Sequence, residues 1–176
     1  MSNTNSVVAV FQSHDLAEGA IRELQNDGFD MKKLSIVGKD YHTEEHVVGY
    51  YTTGERMAYW GALGSFWGGM WGLIVGSAFF WVPGIGPLLV AGPLVTTIVG
   101  GLEGAVVTGG LSALGAGLYS MGIAKKSIVQ YENEVNSGKL LLIVQGTPDE
   151  VERARSILNL TAKSTTVHAE MAAVSA

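Results

Sequence analysis

MAYWGALGSFWGGMWGLIVGSAFFWVPGIGPLLVAGPLVTTIVGGLEGAVVTGGLSALGAGLYSMGI, residues 57–123, holds one charged residue, Glu103, and seventeen of the chain's 24 glycines. All four tryptophans, Trp60, Trp67, Trp71 and Trp81, lie within it. The residues before it carry five Lys/Arg and nine Asp/Glu, and those after it carry six of each. A chain of 176 residues with this distribution reads as one charged domain interrupted by an uncharged insertion.

Met57–Trp81 is 25 residues without a charge. As a helix it would be about 37 Å long, enough to cross a hydrocarbon core of about 30 Å with some tilt. VPGIGP (82–87) cannot continue a helix, because proline removes a donor and clashes with the preceding turn. A second apolar segment, 88–123, follows, with its regular helix starting at Pro93. The pattern predicts a transmembrane helical hairpin with its turn at 82–93. Small residues recur every four positions: Gly64, Gly68, Gly72 and Gly76, with Gly61 one turn earlier, then Thr97, Gly101, Ala105, Gly109, Ala113 and Gly117. Such a glycine-zipper stripe lets helix backbones approach closely. A buried hairpin in a soluble oligomer is the competing reading, but helical glycines cost about 0.8–1 kcal/mol each relative to alanine, and the segment has no polar face.

Trp60 and Trp81 fall where interfacial aromatics belong. Arg56, Lys125 and Lys126 flank the segment as positive anchors, which predicts an inner-membrane protein with both termini cytoplasmic. Glu103 would be an intramembrane carboxyl, and by default a functional-site hypothesis. Proton or cation handling, a protonated group bonding a neighbouring helix, and a water-filled seam all fit it. The N-terminus, MSNTNS, lacks the basic and apolar regions of a secretory signal.

The flanks carry a different pattern. VVAVF (7–11) reads as a buried strand. Ser13 or Asp15 caps a helix with Leu16, Ala17, Ala20, Ile21 and Leu24 on one face, and Gly28 stops it. LSIVG (34–38) is a second strand. After the insertion, AKKSIVQYENEVNSG (124–138) is an amphipathic connecting helix. LLLIV (140–144), a helix opened by Thr147 and Pro148, and STTVH (164–168) repeat the strand–helix–strand order. A shift of 134 places Val10 on Val144, Asp15 on Asp149, Ala20 on Ala154 and Leu24 on Leu158. Two such halves predict an α+β, ferredoxin-like sandwich: one four-stranded antiparallel sheet with two helices on one face. The expected division is 1–56 for the first half and an arm, 57–123 for the hairpin, and 124–176 for the connecting helix and second half.

Catalytic and cofactor chemistry is not indicated. With no Cys there is no thiolate or Cys-based metal site. His42 and His46 enclose Glu44 and Glu45, but the spacing is not HExxH, and the segment reads as a solvated arm. His14 and His168 stand apart. No serine has a nucleophile-elbow context, and no lysine follows the glycines as in a phosphate loop. A net charge of −5 without a basic cluster argues against nucleic acid. No small-molecule substrate is evident. The expected partners are the lipid bilayer and further copies of the chain.

VVAVFQSHDLAEGAIRELQNDGF (7–29), KKLSIVGKD (32–40) and IAKKSIVQYENEVNSGKLLLIV (123–144) resemble the bacterial general stress protein family that contains the heat-induced stress protein YflT-type domain. Many relatives carry a glycine-rich hydrophobic insertion at the corresponding place. The resemblance implies stress association without a settled activity, and it supplies no catalytic residues. The combined expectation is a non-enzymatic membrane protein that homo-oligomerises through its glycine-zipper helices and scaffolds or shapes membrane. Alternatives are a soluble particle or filament with buried, lipid-filled hairpins, and a ligand-sensing ferredoxin-like module.

Overall fold

A computed structural model describes residues 5–39, 77–82, 84–104, 111–161 and 167–170. In chain order the elements are β1 (Asn5–Phe11), α1 (His14–Asn26), a 3₁₀ turn (Met31–Lys33), β2 (Leu34–Lys39), β3 (Ser77–Val82), β4 (Gly86–Ala91), α2 (Pro93–Gly104), α3 (Ala113–Ser120), α4 (Lys125–Asn136), β5 (Leu140–Gly146), α5 (Pro148–Thr161) and β6 (Val167–Glu170). The protein is mixed α+β. Its strands form one sheet in the order β3-β4-β2-β5-β1-β6, and every neighbouring pair is antiparallel.

Among the described residues the sheet therefore has six strands, where the sequence pattern predicts four. The extra pair comes from the apolar insertion. Ser77–Val82 and Gly86–Ala91 form a hairpin whose second strand pairs with β2, Val37 opposite Val90. Trp81 thus lies on a strand and not at a helix end. The expected helix turn at 82–93 is instead the β3–β4 turn, β4 itself and the start of α2. Prolines and glycines forbid a helix there, but they also suit a tight hairpin, and periodicity does not distinguish the two.

Among the described residues, no helix is long and apolar enough to cross a membrane. After β4 the described part of the second apolar segment holds α2, 12 residues, and α3, eight residues. At 1.5 Å per residue these span about 18 Å and about 12 Å, well short of a hydrocarbon core. The transmembrane hairpin, the inner-membrane location and the membrane function built on it are overturned. The particle, filament and sensing alternatives gain no support from this correction. Of the expected first crossing, 57–81, residues 57–76 lie outside the described residues, and 77–81 belong to β3.

Helices cover both faces of the sheet. On one face α1 and α5 bury Ala17, Ala20, Ile21, Leu24, Val151, Ala154 and Leu158 against Val7, Ala9, Phe11, Leu142 and Val144. On the other, α2, α3 and α4 bury Leu94, Ile98, Leu114, Leu118, Ile128, Tyr131 and Val135 against Val8, Val10, Val37, Leu141 and Ile143. Alternate side chains of one strand thus enter different cores, so all seven residues of β1 are buried. The apolar character of α2 and α3 has its physical explanation here: they lie against a sheet face that would otherwise expose apolar side chains to water.

Local chemistry sets the boundaries. Ser13 caps α1, accepting from the Leu16 N–H at 3.4 Å, and leaves Leu16 itself 39% exposed and off the expected apolar face. At Gly92, φ is +86°, and an added Cβ would run into the Leu34 carbonyl, so only glycine allows the turn from β4 into α2. Pro93 follows as the first helical residue, where a missing N–H does no harm.

Candidate functional site

Buried and half-buried polar groups hold α2 and α3 onto the sheet and onto α4. The Ser35 hydroxyl on β2 accepts from the Leu94 N–H at 3.1 Å, satisfying one of the free donors at the α2 N-terminus. Ser6 on β1 donates to the Met121 carbonyl at 2.8 Å, just past α3. Ser112 caps α3 by accepting from Gly115 N–H, and its hydroxyl donates to Glu132 on α4. Each contact ties an element of the insertion or of the connecting helix to another.

A second group joins the two strand–helix–strand halves. Thr147 and Glu150 form a capping box: Glu150 Oε2 accepts from Thr147 N–H at 2.9 Å, and Thr147 Oγ1 accepts from Glu150 N–H at 3.3 Å. Lys33 reaches across from the 3₁₀ turn to Glu150 at 2.6 Å. That ammonium, followed by the Thr147 N–H, holds the Glu150 carboxyl below its ordinary 4.5. Arg153 on α5 donates to both the carboxylate and the carbonyl of Asp27, at the end of α1. Such solvent-screened pairs add little stability. Their role is to fix how the halves meet.

The residues singled out from sequence are dispersed by this architecture. Gly61, Gly64, Gly68, Gly72, Gly76, Ala105 and Gly109 lie outside the described residues, as do Arg56, Trp60, His42 and His46. Gly101 and Glu103 belong to α2, and Ala113 and Gly117 to α3. Gly117 sits at a close approach: an added Cβ would lie 2.6 Å from Ile98 Cγ1 and 3.2 Å from Leu94 Cδ1 on α2. Gly100 on α2 has nothing within 4 Å of such a Cβ. Lys125 and Lys126 are exposed at the start of α4, with Lys125 Nζ 5.3 Å from the centre of the Tyr119 ring. Among the described residues no group of three His, Asp or Glu side chains could hold a metal ion.

Trp81 is the conspicuous surface residue. It is 75% exposed on β3, an outermost one among the described strands of the sheet, while its neighbour Val82 is fully buried. Directly opposite it on β4 is half-buried Pro87, and half-buried Leu89 lies two residues further along. Phe80 and Val82 pack toward the α2–α3–α4 side. Strand alternation then turns Trp81 to the opposite face. The sequence marked Trp81 as an aromatic anchor but offered no means of placing it at a sheet edge, because β4's partner, β2, lies about fifty residues earlier in the chain.

The region that supplies β1, α1, β2 and the beginning of β3 is also the region with known relatives. Residues 6–79 match the heat induced stress protein YflT domain. The general stress protein resemblance carried by 7–29 and 32–40 is thereby shown, while 123–144 lies beyond the matched range. The YflT match ends at Phe79, within β3. Comparison with curated proteins gives no match, and neither does comparison with solved structures.

Proposed function

We propose that this stress-associated protein is non-enzymatic and acts by self-association, with a ferredoxin-like unit at its centre. The order β2-β5-β1-β6, all antiparallel, with α1 and α5 packed on one face, supports the ferredoxin-like assignment. On this reading β3, β4, α2 and α3 are the insertion, which widens the sheet and covers its second face. The ties through Ser6, Ser35, Ser112 and Glu132, which use polar side chains for packing, support a structural rather than catalytic role. Net charge −5 supports a partner other than nucleic acid.

The observation that carries the reading is Trp81, three-quarters exposed on an outer strand. Tryptophan is enriched among the residues that dominate protein interfaces, because a large rigid ring gains much from desolvation at low entropic cost. Light scattering of the full chain over a dilution series tests it. The expected masses are multiples of 18.6 kDa that fall on dilution. A monomer at every concentration would defeat the reading.

A further inference from the structure

We propose that β3 is the edge through which two copies join, antiparallel, so that the sheet of one continues into the sheet of the other. The inference rests on the self-association reading and names its surface. Among the described strands, the sheet ends differently on its two sides. β6 is four residues long and carries His168 and Glu170. β3 is six residues long, SAFFWV, with no charge and no proline, and it pairs with β4 along its whole length. Edge strands are ordinarily protected by shortness, charge, proline or a bulge, because their unpaired N–H and C=O groups are a template for another strand. β6 has the first two protections. β3 is held in register by β4 and has neither.

A second copy is the occupant that suits this edge. The chain as a whole is acidic, so two copies approach best where neither presents charge. β3 is such a place, and antiparallel pairing of a strand with itself is a two-fold contact that needs no further surface. Fully buried Val82 fixes the strand from one face, and Trp81 projects from the other beside Pro87 and Leu89. Across the two-fold, Trp81 of each copy would add apolar area to the main-chain bonds.

The test uses the full chain, wild type and Trp81→Lys, with Leu160→Lys as the control, since Leu160 is 85% exposed on α5. Light scattering should show the wild type and Leu160→Lys associated. Trp81→Lys should dissociate at least about tenfold more readily, with unchanged circular dichroism. Hydrogen exchange of the wild type should show the 77–82 amides better protected at high than at low protein concentration. If Trp81→Lys keeps the wild-type mass, or the 77–82 amides exchange independently of concentration in an associated wild type, the edge is wrong and self-association stands. A monomeric wild type overturns both.

Discussion

Replacing Gly117 by alanine should destabilise the protein, although alanine is the better helix former. Gly117 lies inside α3, where the exchange alone would gain about 0.8–1 kcal/mol. The new methyl would sit 2.6 Å from Ile98 Cγ1, 3.2 Å from Leu94 Cδ1 and 3.3 Å from the Ile98 backbone nitrogen. Ile98 and Leu94 are fully buried, and Ile98 is β-branched, so neither has room to swing aside. Overpacking of this kind costs about 1–3 kcal/mol. Taking the middle of that range, the net loss is about 1 kcal/mol, or about 2–4 °C in Tm for a chain of this size. Gly100→Ala in the neighbouring helix is the matched comparison. Its Cβ meets nothing within 4 Å, so it should raise stability by about 0.8–1 kcal/mol. Urea unfolding followed by circular dichroism measures both, as midpoint shifts at unchanged slope. A Gly117→Ala protein as stable as wild type, or two shifts of the same sign, would refute the close approach of α2 and α3.

Ser35→Ala removes the acceptor of the buried Leu94 N–H and should cost about 1–2 kcal/mol in the same urea assay, with α2 the first helix to lose amide protection. Glu150→Gln tests the Lys33 contact through pH. Because the folded carboxyl is held below its ordinary 4.5, its contribution is present above that value and is lost as pH falls through the depressed one. The stability gap between wild type and Glu150→Gln should therefore hold at pH values above 4.5 and shrink as the pH falls below it. A gap that stays constant would mean that the carboxylate's charge is not what stabilises.

Much of the outer architecture was legible. Alternate placement of β-branched runs and amphipathic helices located β1, α1, β2, α4, β5 and α5, since these signals are local. Gly28 and Gly138, at φ +76° and +87°, end α1 and α4 as their positions suggested. The TPDE run at 147–150 is also a legible capping box, in which Glu150 completes the helix start marked by Thr147 and Pro148. VVAVF and LLLIV are continuously apolar, the mark of strands buried on both faces, and helices on one face alone leave every second residue uncovered. Continuous burial in β1 required another layer, which α2 and α3 of the apolar segment supply together with α4.

Sequence alone determined the existence of the two strand–helix–strand halves and the uncharged nature of 57–123, because periodicity and composition are properties of neighbouring residues. Tertiary structure decided what the described part of that apolar segment covers. A stretch without charge must leave water, and a sheet face removes it from water as a bilayer would. The free energy gained depends on apolar area lost to solvent and is nearly blind to the nature of the cover. Hydropathy therefore could not tell lipid from protein. Pairing of β4 with β2 and packing of Gly117 against Ile98 decided it, as contacts between residues far apart in the chain. The same contacts leave Trp81 at the edge of the sheet.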